Sequence, residues 1–226
     1  MGELGSIFGP RQLVLALNHA VSFAREDFLR GPSNAAALTL VESWPDWPDR
    51  IMTLIGPQGA GKSHLAAIWA EVSGARVLAA KLLSDIDPPA ALATGALVVE
   101  DLEANGLDER ALLHLINLAR EQGAYVLLTA RTPPAGFVLT IRDLHSRLRA
   151  LPSVTLASPD DALLRLLIGK LAADRQLSID ASVANYLANH IERSFSAAHF
   201  AVARLDEEAL RQHRPVTRAL AAELFR

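Results

Sequence analysis

A glycine-rich loop between a strand pattern and a helix pattern constrains the fold of this chain more than any other segment. Residues 56–63 read GPQGAGKS and match G-x-x-x-x-G-K-[ST] at every fixed position. The residues before it, 51–55 (IMTLI), are typical of a buried strand, and residues 64–72 carry a helical pattern. Glycines in this context turn successive backbone N–H groups around an anion, and the helix directs its positive dipole end at the same point. The loop therefore predicts a polyphosphate site.

The residue types within this loop have distinct expected roles. Lys62 supplies a point charge to the β- and γ-phosphates, and the Ser63 hydroxyl is placed to bind Mg²⁺. The alternative is a chance glycine-rich turn from strand to helix, and the complete motif in this context disfavours it. The candidate nucleotide-contacting residues of this segment are Gly56, Pro57, Gln58, Gly59, Ala60, Gly61, Lys62, Ser63 and His64.

An acidic element that holds the metal is expected at the end of a neighbouring strand. Residues 96–101 (ALVVED) form an apolar run that ends in Glu100 and Asp101. Strand ends often carry solvated acids, so it is the combination with the phosphate loop that favours a metal role here. The candidate metal ligands are Ser63, Glu100 and Asp101. The residues leave open which carboxylate approaches Mg²⁺ and which lies beside the attacking water.

The order of strand and helix patterns predicts an α/β fold. Runs suited to buried parallel strands lie at 51–55, 96–99 and 125–129, with weaker candidates at 75–80 and 153–156. Helical patterns lie between them, at 64–72 and 107–121. Strands that alternate with helices in this way predict a parallel sheet covered by helices on both faces. The stretch from 44 to 49 (WPDWPD) is predicted to be a turn.

The pattern changes after about residue 157, where the chain becomes helical throughout. Helical patterns follow at 160–175, 180–190, 195–213 and 216–225. Ser158 is predicted to cap the first of these helices with Pro159 at its first position, and Asp180 and Pro215 are start signals for two others. We therefore expect three parts: an N-terminal arm at 1–20, an α/β nucleotide-binding domain at 21–157 and a small helical domain at 158–226.

Composition excludes several classes of function. The 226 residues include 22 Lys and Arg and 25 Asp and Glu, for a net charge of −3, whereas proteins that bind DNA strongly by their own surface usually carry a basic excess. The absence of cysteine excludes disulfides, a cysteine nucleophile and thiolate metal sites. With no secretory signal and no apolar run near about 18 residues, we expect a cytoplasmic protein that does not engage a membrane.

The motifs also occur in the order found in the AAA+ module of the DnaA initiator. The segments that carry this resemblance are GPSN at 31–34, GPQGAGKSHLA at 56–66, LVVEDLE at 97–103, VLLTARTPP at 126–134 and DLHSRL at 143–148. From about residue 10 onwards the chain resembles the shorter DnaA relatives of the Hda type. The resemblance implies a P-loop AAA+ module with a helical lid, ADP or ATP and Mg²⁺ as cofactors, and base contacts from Gly31, Pro32 and Asn34, which on residue type alone are equally suited to a turn.

Proteins of the Hda type carry out regulatory inactivation of DnaA: they promote hydrolysis of DnaA-bound ATP when seated on the sliding clamp, the beta subunit of DNA polymerase III. DnaA itself continues into a helix-turn-helix domain, and this chain ends at Arg226, where that domain would start. The resemblance therefore implies DnaA and the clamp as partners and contact with DNA only through the clamp complex. It leaves self-association open.

Two further elements take their expected roles from this resemblance. Gln12, Leu13, Val14, Leu15 and Leu17 resemble a clamp-binding peptide, although Ala16 stands where a bulkier residue is common. The alternative is an apolar segment that folds back on the domain.

Arg147 matches the family's arginine finger, which enters the nucleotide site of the adjoining subunit, with Arg142 and Arg149 as the nearby alternatives. A guanidinium there can accelerate phosphoryl transfer by about 10³ to 10⁵. The candidate catalytic residues are Arg147, Glu100 and Asp101.

Three departures from the DnaA pattern concern hydrolysis in this chain's own site. Glu100 stands where the family usually has Asp, and no carboxylate follows Thr129. Ser196 aligns with the lid arginine of initiators, and Arg193 lies about one turn earlier. Such a pocket should hold ADP and turn over ATP slowly. The alternatives are a helicase loader of the DnaC type, a non-enzymatic scaffold and, less compatible with the GPSN and DLHSRL segments, a small nucleotide kinase.

Overall fold

The structure is a computed structural model that describes residues 23–226. Its sheet has five parallel strands in the order β2-β3-β4-β1-β5. The strands are β1 (Ile51–Ile55), β2 (Arg76–Ala79), β3 (Ala96–Leu102), β4 (Tyr125–Ala130) and β5 (Ser153–Thr155). All five predicted strands, including the two weaker ones, are confirmed. The predicted arm with Gln12–Leu17 lies outside the described residues.

The helices surround this sheet and continue beyond it. They are α1 (Ala35–Glu42), α2 (Lys62–Ser73), α3 (Pro88–Ala91), α4 (Glu109–Gln122), α5 (Arg142–Ala150), α6 (Asp161–Asp174), α7 (Ala181–His190), α8 (Phe195–Gln212) and α9 (Arg218–Leu224). Short 3₁₀ turns lie at Arg25–Asp27, Ala80–Asp85 and Pro134–Gly136. Within residues 23–226, none of these helices has the length and apolar character needed to cross a bilayer.

Two apolar layers cover the two faces of the sheet. Successive strand residues point to opposite faces, so Leu97 and Val99 of β3 join one layer with α4 and α5, whereas Val98 joins the other with α1 and α2. Because both faces are covered, β1 is buried along its whole length. This burial explains why apolar runs rather than alternation marked the strands in the sequence.

A third apolar cluster lies within α6, α7, α8 and α9. The start of α6 differs from the prediction: Asp160, not Ser158, is the N-cap, and its side chain accepts a hydrogen bond from Leu163 N at 2.8 Å. The later start places Leu163 and Leu164 on the buried face of the helix. Asp180 caps α7 as predicted, and α9 begins after Thr217, two residues beyond Pro215. The expected domain limits stay a prediction.

Candidate phosphate-binding cleft

The phosphate loop leaves β1 beside the end of β4. Gly56 N donates to Ala130 O at 3.1 Å, which fixes the start of the loop to the neighbouring strand. Gly59 (φ +73°) and Gly61 (φ +96°) have left-handed backbone conformations that residues with a side chain rarely adopt. Gly61 is also the N-cap of α2, so the loop turns directly into a helix N-terminus.

Lys62 is buried at the first position of α2, with 7% of its surface exposed. Its Nζ donates to Gly56 O at 2.8 Å and to Pro57 O at 2.9 Å, both within the loop. Burial lowers the pKa of Lys62, and the nearby carboxylate of Asp101 opposes that shift. The ammonium is thus held by carbonyl oxygens, which a bound phosphate can replace, rather than by an ion pair within the described part of the chain.

A cleft of about 480 Å³ opens over the loop and α2. Its size falls in the range of small-molecule sites. It is lined by Phe23, Gln58, Gly59, Gly61, Lys62, Ser63, His64, Asp101, Arg131, Phe195, Ser196 and His199. The structure therefore brings most of the predicted loop residues and one predicted carboxylate to a single cavity with room for a ligand.

The two predicted acids lie within β3 rather than after it. Asp101 has a left-handed backbone (φ 55°), its N–H donates to Thr129 Oγ1 of β4 at 3.0 Å, and the register of the two strands shifts there. Asp101 lines the cleft, whereas Glu100 has a buried Oε1 without a hydrogen-bond partner among residues 23–226. An unpartnered buried carboxylate oxygen and an exposed carboxylate next to it suit a metal cation or an ordered water.

These residues fit Mg²⁺ only together with phosphate oxygens. Within residues 23–226, no group of three or more His, Cys, Asp or Glu residues is arranged to hold a metal ion. Mg²⁺ in phosphate sites characteristically takes one or two carboxylates and completes its octahedron with phosphates and water. Ser63, Asp101 and Glu100 provide that partial set.

Aromatic side chains form the other wall of the cleft. His64 packs edge-on against Phe23 and Phe28, and its Nε2–H donates to Ala24 O at 2.9 Å. Burial lowers the pKa of His64 and of His199, which favours the neutral imidazoles. A wall of rings that lack charge can pack against a flat heterocycle such as a nucleobase.

The N-terminus of α8 closes over the phosphate loop. Phe195 N donates to Gly59 O at 2.8 Å, and Ser194 caps the helix by accepting from Ala197 N at 3.1 Å. Of the two residues considered for the lid position, Ser196 lines the cleft, whereas Arg193 pairs with Asp161 at 2.9 Å and is not part of the lining.

Three predicted base contacts are not part of this lining. Asn34 is buried, and it accepts from Gly31 N and donates to Leu29 O, both at 2.9 Å, so it shapes the turn in which it lies. A Cβ at Gly31 would lie 2.8 Å from Leu163 Cδ2 of α6, and Pro32 is exposed. A direct contact of these residues with a base stays a prediction.

Arg147 lies on α5, outside the cleft lining. Its Nε donates to both carboxylate oxygens of Asp143 at 3.1 Å, and Leu144 and Leu148 are the buried residues of the helix. The structure therefore does not bring Arg147 to the chain's own phosphate loop. Its role as an arginine finger stays a prediction.

Sequence reasoning missed several lining residues. Phe23, Arg131, Phe195 and His199 lie far apart in the chain and belong to no short motif. A signal was available only for Arg131, because it follows β4 next to the phosphate loop strand. Phe195 and His199 reach the cleft through the packing of α8, and Phe23 reaches it beside His64.

Residues 160–223 match the family model for the Hda lid domain. No curated protein sequence matches the chain. Among solved structures, domain III of the Thermotoga maritima replication initiation protein DnaA is similar with a TM-score of 0.73 and 18% identity, over 89% of this chain and 95% of that one.

Two further solved structures are similar. AMPPCP-bound DnaA from Aquifex aeolicus has a TM-score of 0.63 and 18% identity, over 84% of this chain and 67% of that one. The Holliday junction branch migration motor RuvB from Thermotoga maritima has a TM-score of 0.61 and 19% identity, over 76% and 59%. At these identities the likeness shows the AAA+ fold. The chain thus combines that fold with a segment at 160–223 that matches the Hda lid domain.

Proposed function

We propose that this protein is a negative regulator of chromosomal replication initiation, which holds ADP and stimulates hydrolysis of DnaA-bound ATP. One observation carries the proposal: an Hda lid at 160–223 is joined to a DnaA-like fold with an open phosphate cleft. The acidic net charge of −3 agrees with a protein that reaches DNA through a partner.

The nucleotide would occupy the cleft over the phosphate loop. Lys62 would exchange its carbonyl partners for phosphate oxygens, and Ser63 with Asp101 and Glu100 would hold Mg²⁺. When bound, Mg²⁺ supplies charge neutralisation at the phosphates. Hydrolysis in this site would be slow because Arg131 follows Ala130, and its guanidinium cannot accept a proton from water. A turnover of about 1 s⁻¹ or faster by the isolated chain would contradict this part of the proposal.

Arg147 would act on the nucleotide of the partner. Its guanidinium would exchange Asp143 for the phosphoryl oxygens of ATP bound to DnaA, where it would stabilise charge that develops in the transition state. An exposed ion pair of this kind contributes little to stability, so breaking it costs little free energy. The cytoplasmic sliding clamp would hold the two proteins together through Gln12, Leu13, Val14, Leu15 and Leu17, and the product would be ADP-bound DnaA.

The arginine finger is tested by single-turnover hydrolysis of labelled ATP preloaded on DnaA, with clamp loaded on DNA and Mg·ADP present. We expect the wild-type protein to accelerate hydrolysis and Arg147→Ala to remove at least about 100-fold of that acceleration. Arg149→Ala, an exposed arginine on the same helix, is the matched control and should stimulate like the wild type. Equal loss in both variants, or no stimulation by the wild type, would contradict the proposal.

Clamp docking is tested separately by capture on immobilised clamp. We expect Gln12→Ala combined with Leu15→Ala to lose retention, whereas Arg147→Ala should be retained like the wild type. Equal retention of the double variant and the wild type would remove the docking arm from the proposal. Binding to the replicative helicase instead of the clamp would point to a DnaC-like loader, the alternative function.

A further inference from the structure

Arg131 lies beside the phosphate loop, and the function proposed above uses only its inability to act as a base. It follows β4, whose last residue, Ala130, pairs with Ile55 and accepts the Gly56 N–H at 3.1 Å. The backbone of Arg131 is thus one residue from the point at which the phosphate loop is fixed to the sheet. Its side chain lines the cleft together with Lys62 and Asp101.

The present partner of Arg131 is easily exchanged. Its Nε lies 3.3 Å from Glu103 Oε1, and the two side chains are 49% and 48% exposed. An ion pair with this exposure contributes little to stability, and commonly nothing measurable. A phosphate oxygen in the adjoining cleft would compete well for a guanidinium, which matches phosphate with two donors at once.

The electrostatics of the cleft also favour an anion between two cations. The positive charge of Arg131 is one cause of the lowered pKa of Lys62, so the two side chains repel each other across the cleft. They are the lysine and the arginine that the described residues contribute to the lining, since Arg193 of the lid segment pairs with Asp161 elsewhere. A bound phosphate would relieve this repulsion.

We propose that Arg131 binds the terminal phosphate of the nucleotide held in this cleft. Its ion pair with Glu103 breaks when it does so. This inference rests on the proposed nucleotide site and adds to it a selectivity for the number of phosphates on the nucleotide. Lys62 and Arg131 together favour a diphosphate or triphosphate over a monophosphate, because a short ligand does not reach both cations. Arg131 strengthens retention of the nucleotide and supplies no base for its hydrolysis.

The test is calorimetric titration of the full chain with ADP and with AMP in the presence of Mg²⁺. Removing a charge-assisted contact worth roughly 1.5–3 kcal/mol corresponds to an affinity loss of about 10-fold or more. We therefore expect Arg131→Ala to weaken ADP by about that factor and to leave AMP unchanged. Glu103→Gln, which releases Arg131 from its present partner, should tighten ADP. Arg211→Ala removes an exposed arginine of α8 that is paired with Glu208, and it should bind both nucleotides like the wild type.

Thermal unfolding of each variant without nucleotide separates folding from binding. Unchanged ADP affinity in a folded Arg131→Ala protein would overturn the inference, and so would equal weakening of ADP and AMP. These outcomes differ from failure of the proposed function, in which the wild-type chain itself would bind no ADP.

Discussion

Gly59 is the residue at which the lid meets the phosphate loop most closely. Its carbonyl accepts the Phe195 N–H at 2.8 Å, and a Cβ at this position would lie 2.4 Å from Ser196 Oγ and 2.7 Å from Ser194 Cβ. Gly74, after α2, has a similar backbone (φ +67°) but open space around it. The two glycines therefore separate backbone strain from contact with the lid.

We expect Gly59→Ala and Gly74→Ala each to lose about 1–2 kcal/mol of unfolding free energy from left-handed strain. Only Gly59→Ala should also weaken ADP binding, by about 10-fold or more, because its methyl group displaces α8 from the loop. Urea unfolding and ADP titration of both variants check this. Unimpaired ADP binding by Gly59→Ala would show that the lid contact does not shape the site.

Two histidines at the cleft make stability depend on pH. Burial is the main cause of the lowered pKa of both His64 and His199, and at His199 the charge of Arg175 acts in the same direction. In the unfolded chain both would titrate near about 6.5. The unfolded state therefore binds more protons in the window below that value, so stability is present above it and is lost as the pH falls through the window.

We accordingly expect a lower free energy of unfolding at pH 5.5 than at pH 7.5, measured in urea. His199→Gln should reduce this difference, whereas His114→Gln, on the exposed face of α4, should not. An identical pH dependence in the wild type and His199→Gln would argue against the neutral imidazole.

At the scale of elements, the segment from 23 to 34 links the phosphate loop to the lid. Lys170 of α6 lies 2.5 Å from Asp27 Oδ1 in this segment and 2.8 Å from Asp174 Oδ2 in its own helix. Phe28 of the same segment stacks on Phe195 of α8. The segment is therefore positioned to sense the placement of the lid.

The two carboxylates around Lys170 form a matched pair for testing this link. We expect Asp27→Asn to reduce the rise in melting temperature that ADP produces, because it weakens a contact between the segment and the lid. Asp174→Asn, which weakens a contact within α6, should leave that rise unchanged. Thermal melts with and without ADP measure the effect. The same response in both variants would show that this contact is not coupled to the nucleotide.

The elements could be predicted where local chemistry decides them. Buried parallel strands appear as apolar runs, so β1 was located at Ile51–Ile55 without error. Cap positions were less certain because several residues can cap: Ser158, Asp160 and Asp161 lie close together, and packing of Leu163 selected Asp160. Helix α5 has no clear helical pattern in the sequence, since its nine residues carry four charges that obscure its apolar stripe.

The site was predictable only in its phosphate half. The loop from Gly56 to Ser63 is contiguous and has a distinctive pattern, so its residues could be identified before the fold was known. Phe195 and His199 reach the cleft because α8 packs on the loop, and nothing in their neighbouring residues indicates that contact. The sequence indicates only that no carboxylate follows Thr129. The structure places the Arg131 side chain in the lining of the same cleft as Lys62.

At the scale of the whole molecule, the cleft and Arg147 lie on different parts of the surface. The cleft is formed by the phosphate loop, the end of β3 and α8, whereas Arg147 lies on α5. This separation agrees with the proposal that the chain binds one nucleotide in the cleft and that Arg147 contacts another in a partner. The proposed function requires the first of these contacts, nucleotide binding in the cleft.

The most direct measurement is calorimetric titration of the full chain with Mg·ADP, comparing the wild type with Lys62→Ala. We expect one ADP site per chain in the wild type, and we expect Lys62→Ala to lose about 100-fold or more of the affinity for ADP. Arg211→Ala, which removes an exposed arginine of α8 paired with Glu208, should bind like the wild type. Undiminished ADP binding by Lys62→Ala, or no binding by the wild type, would contradict the account.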